Sequence, residues 1–289
     1  MKNSFLFLLV VLPMVSAAQD TDIDFHHDKT YEMSPTGRVK LECSDARVTV
    51  VGSDRSAARV KIDRVVSSKG IVFGKNNDFH VDVRVEGGDL VIEEVGRYSM
   101  SGIIGYYRED YTIVLELPRG TSLAVKGDDG DFLVRDLSGS ISLSLDDADV
   151  KLQGCTGADF RFALDDGDLE MDQGRGRIEI IADDADVQIQ SGNFVSVDVE
   201  IDDGDLSLET SLSDEGDYKV IAQDGLVALT VTDGGGRFDI RHDDARLTTE
   251  GGFEQLTSSE SRTTLQLASG AAKVNILADD ARLRLKAPH

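Results

Sequence analysis

The chain has 289 residues, with 30 Lys or Arg against 54 Asp or Glu and a formal charge of −24. That acidity argues against nucleic acid and anionic membrane surfaces as partners; it suits divalent cations, basic partners or plain solubility. Trp is absent, Pro is scarce at 4 and Gly abundant at 28, a composition for many strands and tight corners rather than long helices.

Met1 to Ala18 reads as a secretory signal peptide: Lys2, the apolar run Phe5 to Leu12, then the small residues Ser16, Ala17 and Ala18. The run is too short to span a membrane, and no later stretch reaches the length that a direct transmembrane insertion needs. Cleavage after Ala18 leaves no Cys for a lipid anchor, so the expected product is exported and soluble, in the periplasm or outside the cell. Residues 19–37 form a polar lead-in, expected to be an irregular tether. Its His26 and His27 beside Asp28 lack a visible third metal ligand.

Alternating strand patterns begin at Arg38–Val51 and continue at Ala58–Val66, Phe79–Val85, Leu90–Val95 and Tyr111–Leu117. Two long interruptions break them, Ser67–Asp78 and Gly96–Asp110, and these make 38–120 the irregular part. From 121 to 289 the pattern is regular. An acidic phrase returns as DDGDFLV from Asp128, DDADVKL from Asp146, DDGDLEM from Asp165, DDADVQI from Asp183 and DDGDLSL from Asp202, at intervals of 18, 19, 18 and 19 residues. Between phrases the apolar residues alternate, as in Val150 and Leu152, then Phe160, Phe162 and Leu164. Such a period predicts an all-β fold: one β-solenoid, or β-helix, over 38–289, with about ten coils of ~18–20 residues and two strands per coil. The alternation of DDG with DDA also permits a coil of about 37 residues with four strands.

The energetics require stacking. One coil buries four or five apolar side chains, each contributing about 1.5–3 kcal/mol. Ordering its backbone costs roughly 1–2 kcal/mol per residue. A lone coil therefore loses, and neighbours at ~4.8 Å supply the hydrogen bonds and the dry core.

After Leu208 the rhythm loosens through Gln223, Asp243, Ser259 and Asp279, and Arg246, Arg262 and Arg282 take the fourth corner position. The strand with Arg282, Arg284 and Lys286 reads as a basic edge that caps the stack. Cys43 and Cys155, counted along the repeat, lie about six coils or roughly 29 Å apart, too far for a disulfide.

No catalytic motif is present: no HExxH, no GxSxG, no Walker loop. The competing enzyme class is a polysaccharide lyase or hydrolase built on paired carboxylates. A cleft with three or more convergent carboxylates and basic neighbours would favour it; a smooth solenoid would favour a non-enzymatic scaffold. In the simpler account of the corner, Asp bonds the backbone two residues on while Gly or Ala relaxes the bend. In the other, stacked coils bring Asp128, Asp129 and Asp131 against Asp146, Asp147 and Asp149, then Asp165, Asp166 and Asp168, then Asp183, Asp184 and Asp186, then Asp202, Asp203 and Asp205. Unit charges ~5 Å apart repel by about 0.8 kcal/mol even in water. No cofactor is expected beyond weak Ca²⁺ on this ladder, at a Kd of order 10⁻⁴–10⁻³ M.

The second interruption carries Tyr98, Met100, Ile103, Ile104, Tyr106 and Tyr107, broken by Gly96, Gly102 and Gly105. An insertion this apolar needs cover. Either it folds back to cap the core or it is a tip that binds an envelope or surface protein or glycan.

The stretch Tyr111–Gly154 resembles the bacterial putative-adhesin family of β-strand-repeat proteins. The resemblance rests on the strand ending Leu117–Pro118–Arg119–Gly120, the Gly-Asp corner that follows, and Leu137–Ser138–Gly139 opening the next strand. The looser opening from Thr36 to Asp63 is similar to that family's first coils, although DD stands here where the family more often has a lone Gly-Asp. The resemblance implies an envelope β-solenoid without an established activity. The function expected is that of a non-enzymatic, adhesin-like envelope protein presenting an acidic surface to a partner.

Overall fold

The computed structural model describes residues 21–73, 76–96, 98–99 and 102–288, with backbone alone at 21–23, 70–73, 76–77, 98–99 and 102–103. The segment read as a signal peptide lies outside the described residues. Among the described residues every regular element is a strand, as the solenoid expectation requires.

One coil shows how the sequence makes the shape. In Asp159–Met171, Phe160, Phe162 and Leu164 point into the core while Arg161 and Ala163 point out. The chain then turns through Asp165–Asp168, and Leu169 and Met171 return to the core from the opposite side. Phe160 lies in register with Ile141 on one side and Ile178 on the other; Leu169 lies likewise between Val150 and Val187. In-register parallel stacking puts like side chains in columns, so the core is a pile of aliphatic and Phe rows closed by two sheets. Tyr218 is the polar exception in these rows. It is buried with its hydroxyl donating to Phe194 O at 2.7 Å and accepting from Ser213 N at 2.9 Å.

Consecutive acidic corners stack directly: Asp129, Asp147, Asp166 and Asp184 are register partners in turn. This selects the coil of 18–19 residues over that of 37. It also explains the DDG/DDA alternation. Gly167 has φ +106, and a Cβ there would sit 2.3 Å from the carbonyl oxygen of Ala148 in the coil before it. Gly130 meets Ala46 O and Gly204 meets Ala185 O in the same way, at 2.2 and 2.4 Å. Each of these three Gly corners thus rests on an Ala corner whose methyl is buried (Ala46, Ala148, Ala185), whereas Gly225 in the later QDGL corner rests on Gly204 O.

Chain order and stacking order agree only from Ser122 to Val231. The coil of Arg38–Cys43 and Arg47–Ser53 is clamped between Ser122–Arg135 and the outer pair Asp89–Val95 with Gly102–Pro118. At the other end, Ala272–Ala278 lies between Asp217–Ala222 and Gly236–His242, and Arg282–Lys286 lies between Leu226–Val231 and Arg246–Glu250. The basic strand read as the cap is therefore interior. Alternation fixes which face a strand buries but not which strands it neighbours.

Antiparallel strands do the capping. Arg262–Leu267 and then Phe253–Ser258 close one end, where the Phe253 and Phe238 rings meet edge to face at 5.3 Å. At the other end Ala57–Phe73 runs antiparallel to Gly102–Pro118, and Thr21–Glu32 runs antiparallel to Ala57–Phe73. The lead-in expected to be irregular is thus a 12-residue strand over most of its length. Its charged residues find partners that sequence distance hides: Arg59 bonds Asp28 through two nitrogens at 2.8 and 2.9 Å, and His26 bonds Asp63 at 2.9 Å.

The two interruptions are not loops either. Ser67–Phe73 pairs with Gly102–Arg108. Gly105, which read as a breaker, lies opposite Gly70 of the first interruption in one ladder. Cys43 and Cys155 are free and buried, as expected, but the coil count behind that expectation fails. The Cys43 coil stacks directly on Ser122–Arg135, which stacks on the Ile141–Gln153 coil that precedes Cys155.

Candidate functional site

Three surfaces are candidates: the acidic corner, the projecting ribbon, and a hollow beside the corner. At the corner, strand pairing carries Asp131 against Asp149 and Asp168 against Asp186 as well as the column from Asp129 to Asp184. Asp203 N donates to Asp183 O at 2.9 Å and Asp224 N to Asp202 O at 3.0 Å, which continues the stack. Asp45 and Asp224 join the ladder although sequence reading did not place them on it. Asp45 lies between Cys43, partner of Gly127, and Val48, partner of Phe132. Only the degenerate SDAR and QDGL phrases marked these two.

The carboxylates do more than turn the chain on itself. Asp186 Oδ1 accepts from Asp205 N at 2.8 Å, and Asp205 Oδ1 accepts from Leu226 N at 2.9 Å. These bonds run from one coil to the next, in place of the local bond two residues on. Burial and then its acidic neighbours, Asp149 and Asp186 first, raise the Asp168 carboxyl above its ordinary range. Asp45, Asp184 and Asp224 are raised for the same two reasons in the same order. Among the described residues, no group of three or more His, Cys, Asp or Glu side chains is disposed to hold a metal ion. His26 and His27 fit that result, since His27 bonds the Tyr31 hydroxyl at 2.9 Å and His26 is engaged by Asp63.

The interruptions converge on one projection. Among the described residues Thr21–Glu32 pairs as far as Ser68, and Lys69–Phe73 and Gly102–Tyr106 continue as a two-stranded ribbon. Tyr98–Ser99 forms a second short ladder with Asn76–Asn77. Ile104 is 68% exposed and Tyr106 53%, so these two side chains do not cover the core. The Tyr107 hydroxyl donates to Glu109. Met100 lies outside the described residues, and Tyr98 and Ile103 are placed by backbone only. The ring that does close this end is Tyr111, edge to face on Phe79 at 5.5 Å, with Phe79 edge to face on Phe25 at 5.5 Å. Arg64 lies 3.8 Å over Phe79 and donates to Glu109 at 2.6 Å.

Beside the ladder is a hollow of about 340 Å³ lined by Asp45, Glu109, Asp110, Asp129, Asp131 and Asp149, among others, with Arg47 beside them. It has the carboxylates and the basic neighbour that an enzyme would need. Arg47 is already paired with Asp110, and Tyr111, its aromatic, is buried.

The family model for Toastrack DUF4097 matches residues 37–283. The chain belongs to the Toastrack DUF4097 family. No curated protein matches the chain. Three crystal structures are similar to this Toastrack chain over most of their length. A "putative adhesin" from Bacteroides fragilis is 9% identical, covers 92% of this chain and 97% of its own, and has a TM-score of 0.38. A "putative cell adhesion protein" from Clostridium sporogenes is 10% identical over 93% and 100%, with a TM-score of 0.28. A "putative adhesin" from Parabacteroides merdae is 11% identical over 93% and 97%, with a TM-score of 0.24.

Proposed function

We infer that this Toastrack protein is a non-enzymatic, adhesin-like protein of the exported cell envelope, a stiff rod that carries an acidic ridge and a projecting ribbon to a partner. The observation that supports this most is the ribbon. Two segments about 30 residues apart in sequence converge beyond the last strand that flanks them, and they expose Ile104 and Tyr106. Exposed aromatic and aliphatic side chains on a projection suit an interface anchor. The acidity of the rod favours a basic or neutral partner over nucleic acid or an anionic membrane.

The test is a pull-down from envelope extract with wild-type protein and an Ile104→Ser/Tyr106→Ser variant. The variant should melt as wild type and lose its captured partner. Equal capture by both would overturn the ribbon as the contact. Recovery of the mature protein from the periplasm or medium, starting at Gln19, is expected; retention in the cytoplasm would overturn export.

One observation favours a second reading. The hollow beside Asp45 gathers carboxylates, and burial raises the Asp45 carboxyl as a general acid requires. On that reading the protein cleaves an acid-tolerant polysaccharide, and Asp45→Asn abolishes release of reducing ends. No release by the wild-type protein from cell-wall glycans would dispose of it.

A further inference from the structure

Beside the acidic corner, one outer face of the solenoid carries a column of side chains that the rest of the surface does not repeat. Register partners place Ala163 against Ile181, Ile221 against both Glu200 and Leu277, and Leu277 against Arg241. Asp202 N donates to Ala182 O at 3.1 Å, which sets Glu200 next to Ile181. Ile181 is 54% exposed and Leu277 48%, on positions where the neighbouring coils carry Ser144 and Glu200. A single exposed aliphatic is ordinary; two in one column, with the half-buried Ile221 between them, are not.

The next outward column is acidic, with Asp165, Asp183, Asp202, Asp279 and Asp243, interrupted by Gln223. Two hollows of about 320 and 610 Å³ lie between the columns and share Ile221 and Gln223, so they form one trough across the coils. Its floor is Ile181, Ile221 and Leu277, its wall is carboxylate, and Arg241 ends it. Inside it, Asp202 Oδ1 is shielded from solvent and receives no hydrogen bond. A buried carboxylate oxygen without a donor costs free energy that an incoming cationic donor returns.

We propose that this trough is the docking track for an extended, basic segment of a partner protein, with aliphatic side chains on Ile181, Ile221 and Leu277 and a Lys or Arg at Asp202. Charge complementarity selects the occupant. The wall repels nucleic acid, anionic lipid and acidic peptides alike. A glycan lacks its usual stacking platform, since no Phe, Tyr or Trp lines either hollow and His242 is the one ring there. A metal ion alone leaves the apolar floor unused. Ile181 and Leu277 are three coil spacings apart, ~14 Å, which four to five extended residues at ~3.3 Å each would span. The proposal rests on the reading of the rod as a partner-binding protein and names a site separate from the ribbon.

The test measures fluorescence anisotropy of labelled peptides at physiological salt: alternating Lys and Leu, alternating Lys and Ser of equal charge, and alternating Glu and Leu. Wild-type protein should bind the Lys–Leu peptide about tenfold more tightly than the Lys–Ser peptide and should not bind the Glu–Leu peptide. Ile221→Ser/Leu277→Ser should erase that preference, and Asp202→Asn should weaken the Lys–Leu peptide about fivefold or more. Glu200→Lys, outward-facing and clear of the core, provides a second variant should the serine pair lower the melting temperature. Equal affinity for Lys–Leu and Lys–Ser in the wild type would overturn the track and leave only general attraction to the ridge. Unchanged binding in the trough variants would overturn it as well. The Ile104→Ser/Tyr106→Ser protein should bind the peptide normally, so loss of envelope capture and loss of the track are read separately.

Discussion

Replacing Gly167 by Ala tests whether a backbone contact sets the spacing of the acidic corners. The added Cβ would meet Ala148 O at 2.3 Å and Ala148 C at 2.7 Å, and Gly167 holds φ +106. A carbon–oxygen contact relaxes only near 3.2 Å or beyond, so the corner must open by roughly 1 Å against a coil spacing of ~4.8 Å. Backbone strain of a non-Gly residue in that region costs about 1–3 kcal/mol. Loosening one or two inter-coil hydrogen bonds adds about 0.5–1.5 kcal/mol each. The expected loss is therefore about 1.5–6 kcal/mol, read as a lower urea midpoint by far-UV circular dichroism. The converse change, Ala148→Gly, deletes a buried methyl worth ~0.8 kcal/mol and adds ~0.5–1 kcal/mol of backbone freedom. Because the clash is with a carbonyl oxygen and not with the Ala methyl, the double variant Ala148→Gly/Gly167→Ala should lose the sum of the two. A wild-type midpoint for Gly167→Ala, or rescue in the double variant, would refute the backbone account of the alternation.

Three further outcomes follow from the same geometry. Asp45, Asp168, Asp184 and Asp224 have folded pKa values raised above the ordinary Asp value of 3.8, so the native state binds more protons just above it, and stability falls as pH rises through that window. Asp28, held low by Arg59, Asp63, held low by Lys61 and His26, and Asp239, held low by Arg262, contribute stability that is lost only as pH falls below 3.8. The melting temperature should thus rise as pH is lowered from neutral toward 4 and drop below it, whereas a melting temperature that climbs steadily up to neutral pH would contradict the ladder. With no preformed chelate, millimolar Ca²⁺ and Mg²⁺ should raise the melting temperature alike, and both by more than NaCl of equal ionic strength; equal shifts from all three would reduce the effect to screening. Burial pushes the Cys43 thiol up to about 12 and the Cys155 thiol to about 11, so neither should react with a thiol reagent at pH 8 until the chain unfolds, and fast native labelling would show that a corner opens.

What the sequence made legible was whatever repeats locally. Phe160, Phe162 and Leu164 alternate with polar residues in the chain itself, so the core face, the strand pair and the 18–19-residue coil could be read without partners. The failures share one cause. His26 and Asp28 looked like part of a loose polar segment because their partners, Asp63 and Arg59, lie more than 30 residues on. Gly105 looked like a break because it was judged without the strand opposite. Ile181, Ile221 and Leu277 drew no reading at all, since their intervals in the chain, 40 and 56 residues, hide that they occupy one column. The ion pairs of the capping ribbon and the trough both live in pairings, not in runs.

The inverted coil order at both ends has a consequence for how the molecule assembles. From Ser122 to Val231 each coil lands on the one before it, about 20 residues back, and loop closure is inexpensive. Gly236–His242 cannot do this, because its parallel neighbour Ala272–Ala278 comes later in the chain. Until that strand arrives, Gly236–His242 has only its antiparallel partner Arg262–Leu267, so the hairpin can form first and dock second. Arg38–Cys43 is in the same position with respect to Leu90–Glu93 and Ser122–Gly127, which are both still to come. The regular middle therefore supplies the template with local contacts, and the two clamped coils add the non-local ones that slow folding. Once closed, each clamped coil has a hydrogen-bonded strand on both sides and no free parallel edge. The edges left at the ends belong to antiparallel strands and to the short, charged Arg246–Glu250. A parallel coil of a second molecule would find a mismatched hydrogen-bond direction at the antiparallel edges and flanking charge at Arg246–Glu250, both of which oppose end-to-end stacking.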